Sequence, residues 1–132
     1  MAGIVWEKVN IKQNPRRATE AFASVGLNYI SLNALACRLI DNIYDYSCVE
    51  VHCGKENKKA VRIGLRFIKI NMPGSIRVTR RKYKGEFVDG LDIRSKALIE
   101  EIYGKVRDNK TMRHPVEKVD ESMLAIDITK EL

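Results

Sequence analysis

The sequence predicts an α+β protein: a mostly antiparallel, twisted sheet or partial barrel of hairpins, with two short helices. Three observations predict it. Between residues 48 and 84, Val49, Val51 and Cys53 alternate with Glu50 and His52; Val61, Ile63, Leu65 and Phe67 alternate with Arg62 and Arg66; Ile76 and Val78 alternate with Arg77 and Thr79. That is a strand period of two, met three times, with turns at 54–58 and at Pro73-Gly74. Leu35, Ala36, Leu39, Ile40 and Ile43, and later Ala97, Leu98, Ile99, Ile102 and Tyr103, recur instead at helical spacing. Finally, 132 residues at 45% hydrophobic and 31% charged fit one globular core without staples.

Residues 4–12 have strand propensity and read as an edge strand. Asn14-Pro15-Arg16-Arg17 reads as a turn, because proline presets one dihedral and keeps its predecessor out of helix. Two apolar runs, 21–25 and 29–32, flank Gly26-Leu27-Asn28 and read as a tight hairpin. Asn33 sits where a helix cap belongs, and the helix that follows runs to about Asn42. After the ribbon, Gly85 and Gly90 bracket a hairpin end, and Leu91-Asp92-Ile93 reads as a brief strand. Ser95 caps a second helix stopped by Gly104. Residues 1–108 therefore form a single α+β domain around the basic ribbon 48–84, and 109–132 a polar linker with an acidic segment. Within that segment, 123–128 either adds a last strand or folds against a partner.

The net charge is +7, unevenly spread. Between 55 and 84 the only acid is Glu56, against Lys55, Lys58, Lys59, Arg62, Arg66, Lys69, Arg77, Arg80, Arg81, Lys82 and Lys84. The tail carries Glu117, Asp120, Glu121, Asp127 and Glu131, which can fold onto the basic sheet or keep the chain in solution. No apolar run approaches membrane-spanning length, no secretory pattern opens the chain, and three cysteines make no disulfide framework. The expected setting is the cytoplasm, with no membrane partner.

A sheet with one apolar and one cationic face points to an anionic partner. The expected nucleic-acid contacts are Arg77, Arg80, Arg81, Lys82 and Lys84, with Arg62, Arg66, Lys58, Lys59, Arg16 and Arg17 extending the surface. Arginine forks and lysine point charges neutralise phosphates, and Tyr83 is a single stacking aromatic, so duplex DNA or structured RNA is favoured over single strands. The competing reading is a solvated charged strand that resists edge-to-edge association. Cys48, His52, Cys53 and distant His114 have the residue types of a metal site, but His52 and Cys53 fall on opposite strand faces and no paired C-x-x-C exists. Asp89 and Asp92 beside Arg94 and Lys96 raise a nuclease, yet read better as turn and cap residues. Neither a cofactor nor a catalytic centre is expected.

The order hairpin, Y-I-S-L-N, short helix, then V-E-V returning through V-R-I-G-L resembles the plan of the AbrB/MazE-like swapped-hairpin superfamily. It is also similar to small uncharacterised phage and mobile-element proteins. Gly26, Tyr29, Ile30, Ser31, Leu32, Asn33, Ala36 and Leu39, then Val49, Val51, Glu56, Asn57, Lys58, Lys59, Val61 and Ile63 carry the likeness, about half the chain. The resemblance implies an intertwined homodimer and duplex DNA bound by arginines on one face. Asn33 and Ala34 stand where that superfamily carries a proline and a basic residue, and the chain runs on well past the hairpin. The expected function is thus a regulatory nucleic-acid-binding protein. The alternative is a phage-encoded module that inhibits a host nucleoprotein, as an anti-CRISPR does.

Overall fold

The computed structural model describes residues 3–9, 20–103 and 111–132. Eight strands form in chain order: β1 (Phe22–Val25), β2 (Tyr29–Leu32), β3 (Cys48–Glu56), β4 (Lys59–Ile68), β5 (Ile76–Tyr83), β6 (Glu86–Arg94), β7 (Met112–Asp120) and β8 (Met123–Asp127). Two helices join them, α1 (Ala34–Cys37) and α2 (Lys96–Tyr103). The strands close into one barrel in the order β1-β2-β6-β5-β3-β4-β8-β7, and β7 pairs back onto β1. Every pairing is antiparallel and made within one chain, so closure does not call on a second copy.

This overturns the expected fold class. The protein is a closed, mostly β barrel, not an α+β sheet or partial barrel, and only α2 exceeds a single helical turn. Closure comes from pairings between residues far apart in sequence. Phe22–Val25 meets Met112–Pro115, and Arg62–Arg66 meets Met123–Asp127. Of the segment read as linker and acidic tail, Met112–Asp120 is β7 and Met123–Asp127 is β8, the last strand that one of its two readings expected. Residues 3–9, expected in an edge strand, have no strand assignment and leave Ile4, Val5, Trp6 and Val9 exposed. The turn at 14–17, including Arg16 and Arg17, and the stop at Gly104 lie outside the described residues.

Alternation decides which side chains fill the barrel. Ala23 and Val25, Ile30 and Leu32, Val49, Ile63, Leu65 and Phe67, Leu91 and Ile93, Val116, Leu124 and Ile126 point inward and are buried. Their outward neighbours include Glu50, Arg62, Arg66, Arg77 and Thr79. Apolar inside and charged outside is the inverse of a membrane barrel, whose apolar band faces lipid. Among the described residues no helix is long and apolar enough to cross a membrane.

Both mouths are plugged. β2 and β6 are antiparallel neighbours, and one helix follows each, so α1 and α2 lie at opposite ends. At one end the chain after β2 turns Ala36, Cys37, Ile40 and Ile43 into the barrel. The predicted helix over this stretch stops at Cys37; Asn42 adopts a left-handed conformation (φ 54°) and a 3₁₀ turn follows at Ile43–Asp45. At the other end α2 inserts Ile99. Its first turn is capped as expected, the Leu98 amide donating to Ser95 Oγ at 3.1 Å.

Asn33 is a fastening for three segments. Its Oδ1 accepts from the amides of Ala36 (2.9 Å) and Phe22 (3.1 Å), and its Nδ2 donates to the Glu20 carbonyl at 2.9 Å. Asn33→Ala removes the cap and leaves these groups without partners, at an expected loss of about 1–2 kcal/mol. Urea unfolding of the two proteins measures it; a midpoint unchanged by Asn33→Ala would show that the cap contributes nothing.

Candidate nucleic-acid interface

β5 is the strand on which the cations meet, and its surroundings are unusual. It pairs with β6 along most of its length but with β3 only at Ile76 and Arg77. From Thr79 to Tyr83 its second edge has no strand beside it among the described residues. An open groove of about 1050 Å³ runs along it, lined by Arg77, Arg80, Arg81, Lys82 and Arg94, with Asp92 as its one acid. Tyr83 and Phe87 also line it.

The cations here fall into two groups. Arg80 and Arg81 are held. Arg80 stacks its guanidinium 3.9 Å from the Tyr44 ring centroid, donates to the Val88 carbonyl at 3.1 Å, and has an Nη2 3.7 Å from Asp89. Arg81 donates from Nε to Asp92 at 3.3 Å and reaches Ser31 Oγ, which itself donates to Asp92 at 2.6 Å. The pairing of β5 with β6 is irregular between Arg80 and Lys82, and Gly90 (φ 135°) leaves room for Arg81, since a Cβ there would sit 2.7 Å from its Cδ. Arg77, Lys82 and Lys84 make no ion pair within 4 Å among the described residues. Lys82 lies over the Phe87 ring at 4.8 Å and Lys84 over Tyr83 at 5.5 Å.

Of the remaining predicted contacts, Arg62, Arg66, Lys58 and Lys59 do not line this groove. Arg62 is 3.0 Å from Asp127 and 3.7 Å from Glu117; Arg66 is 2.8 Å from Asp120. The acidic C-terminal strands therefore lie beside β4 and cover its arginines, as one of the two readings of that segment anticipated. Lys58 and Lys59 sit at the β3–β4 turn, where Asn57 and Lys58 take positive φ (51° and 66°). Because β3 and β5 run antiparallel and each leads into its own hairpin, that turn and the β5–β6 turn point to opposite ends of the barrel. The expected continuous cationic face is thus divided.

These ion pairs carry a pH signature. Burial raises the Asp127 carboxyl, but donors from the Thr129 side chain and amide, then Arg62 and Lys130, outweigh it and hold it below the usual range. Asp120 is also held low, first by Arg66 and then by the Ser122 amide. A carboxyl lowered on folding contributes stability above its unfolded value of about 3.9, and loses it as pH falls through the folded value. Asp127→Asn should therefore be less stable than the parent at neutral pH, and the two unfolding midpoints should converge as pH drops below about 4. A difference that stays constant with pH would sink this assignment.

Behind the groove, Asp89 accepts from Arg38 (3.3 Å) and from the Tyr44 hydroxyl (3.2 Å), and that hydroxyl accepts the Gly90 amide at 2.9 Å. Burial pushes the Cys37 thiol up to about 11, partly offset by its hydrogen bond with Tyr44. Burial likewise pushes Tyr44 up to about 12, against the Gly90 amide and with help from Cys37 and Asp89. Through the hydrogen bonds of Tyr44 and Asp89, this cluster braces the root of the β5–β6 hairpin. Asp89 and Asp92, read as turn and cap residues, are in fact arginine partners on β6.

His114, read within the linker, is buried on β7. Its Nδ1 lies 2.7 Å from the Lys130 carbonyl, so that nitrogen carries the proton, and Nε2 accepts from the Tyr103 hydroxyl at 3.1 Å. The residue thereby ties α2 and the C-terminal end to the barrel. Little in the sequence signals it, since Arg113-His114-Pro115-Val116 has no polar–apolar alternation and contains a proline. Of the cysteines, Cys37 and Cys48 are buried and Cys53 is exposed. Among the described residues no three His, Cys, Asp or Glu side chains are placed to share a metal ion. Comparisons with protein-family models, curated proteins and solved structures returned no match to this chain.

Proposed function

We propose that this protein binds nucleic acid in the cytoplasm, using the groove and hairpin of β5 and β6 to contact phosphates, and serves regulation rather than catalysis. The observation that carries the reading is the division among the β5 cations. Arg80 and Arg81 have partners within the fold, whereas Arg77 and Lys82, which line the groove, and Lys84, at the turn beyond it, have no ion-pair partners among the described residues and lie near exposed aromatics. Solubility alone would need neither an unpaired strand edge nor aromatic rings set among cations.

Titration of the full chain with a labelled duplex of about 20 bp tests this. Affinity should fall with salt at a log–log slope of about −0.9 per phosphate contact, hence about −3 if Arg77, Lys82 and Lys84 each meet one. No binding to DNA or RNA at about 50 mM salt would refute it.

The second reading is a protein-binding module directed at a host nucleoprotein, and residues 3–9 favour it. Ile4, Val5, Trp6 and Val9 are more than three-quarters exposed, and a cluster of exposed apolar side chains marks contact with another macromolecule. Under this reading nucleic acid associates only when the host protein is present.

A further inference from the structure

We infer that the β5–β6 hairpin enters the major groove of B-form DNA, so that the ligand is duplex DNA rather than duplex RNA or a single strand; the inference rests on the nucleic-acid reading above. β6 loses its other neighbour at Leu91, where β2 ends, and β5 loses its own at Arg77. The two continue together through Lys82↔Phe87 and Tyr83↔Glu86. Beyond Arg81 the ribbon is therefore two-stranded, with no third strand on either side among the described residues. Lys82 and Tyr83, at about 3.3 Å each, carry the ribbon about 7 Å before the turn, close to the depth of about 8.5 Å of a major groove.

Width selects the groove. A two-stranded ribbon fits the B-DNA major groove, about 12 Å wide, and is too broad for the minor groove at about 6 Å. The A-form major groove of duplex RNA is too narrow for side chains to read. The end of the ribbon is slim, because Lys84 and Gly85 both take positive φ (50° and 83°) in a two-residue turn.

The side chains at the tip suit base edges. Glu86 can accept from cytosine N4, and Tyr83 and Phe87, 65% and 60% exposed, offer apolar contact to thymine methyls, while Lys84 stays with the phosphates. Tyr83 pairs with Glu86 and Phe87 with Lys82, which places the two rings on opposite faces of the ribbon. They cannot stack successive bases of one strand, as a single-strand platform does. At the root, Tyr44, Asp89, Asp92 and Ser31 hold Arg80 and Arg81, so the ribbon leaves the barrel as a stiff finger.

The test uses the full chain against three labelled forms of one mixed sequence of about 20 bp, namely DNA duplex, RNA duplex and single-stranded DNA, at about 100 mM salt. A fourth duplex carries glucosylated 5-hydroxymethylcytosine, whose sugar fills the major groove. The expected result is at least tenfold tighter binding to duplex DNA than to either alternative, with glucosylation and Tyr83→Ala/Phe87→Ala each weakening it at least tenfold. Equal or tighter binding of RNA or single strands, indifference to glucosylation, or displacement by the minor-groove ligand netropsin overturns the groove inference while nucleic-acid binding stands. Failure to bind all four overturns both. Circular dichroism of the double variant, whose replaced rings are exposed, should match the parent, so a lost affinity is not a lost fold.

Discussion

Replacing Arg77, Lys82 and Lys84 together by glutamate should lower affinity for duplex DNA by about 10²- to 10³-fold at about 0.1 M salt. Each phosphate contact contributes roughly [salt]^−0.9, close to tenfold at that concentration, and three are removed before any new repulsion is counted. The fold should survive. None of the three has an ion-pair partner to lose among the described residues, and surface changes away from structural features stay within about 0.5 kcal/mol. The salt slope should flatten by about three, which separates lost phosphate contacts from general weakening. Unchanged affinity in the triple variant would remove this surface from consideration. Arg80→Glu and Arg81→Glu, which composition alone would nominate, are the wrong test. They set new carboxylates against Asp89 and Asp92 and confound lost binding with lost structure.

Phe67→Ala should cost about 3–5 kcal/mol, the largest stability loss expected of a single change here, against a total of about 5–15 for a native domain. Phe67 is 2% exposed on β4, opposite Val49 and 6.1 Å from the Tyr46 ring. A cavity there lies between strands that pair with both β3 and β8, so neighbours cannot collapse into it without disturbing the ladder. Phe87→Ala is the control: the same truncation at an exposed site should change the unfolding free energy, read from urea denaturation, by less than about 0.5 kcal/mol. A loss for Phe67→Ala below about 1 kcal/mol would show that the barrel interior is loosely filled.

What was legible in the sequence was local. The β1–β2 hairpin, the Asn33 and Ser95 caps, the β3–β4 alternation and α2 depend on residues within one turn or one hairpin of each other. Closure was not legible, because nothing near Phe22 says that it will lie beside Pro115. The apolar spacing that suggested a longer α1 was real, since Ile40 and Ile43 are buried, but the barrel mouth takes them from a turn rather than a helix.

The candidate site was half legible. Charge counting found β5, yet could not tell Arg77 from Arg80, because the difference lies in Tyr44 and Asp89, dozens and nine residues away. It also grouped Arg62 and Arg66 with the rest, while their partners Asp127 and Asp120 arrive from the far end of the chain.

The short contact between β3 and β5, only two register pairs long, bears on more than the shape of the groove. Elsewhere the ring is fastened by three to nine such pairs. Thermal opening of the cylinder will begin where it is sewn with the fewest stitches, and that place adjoins the strand that carries Arg77 and Lys82, which make no ion pair among the described residues. A polyanion lying across β5 would bridge the gap from outside, so occupancy and ring closure would reinforce each other, and the protein would be hardest to unzip when loaded.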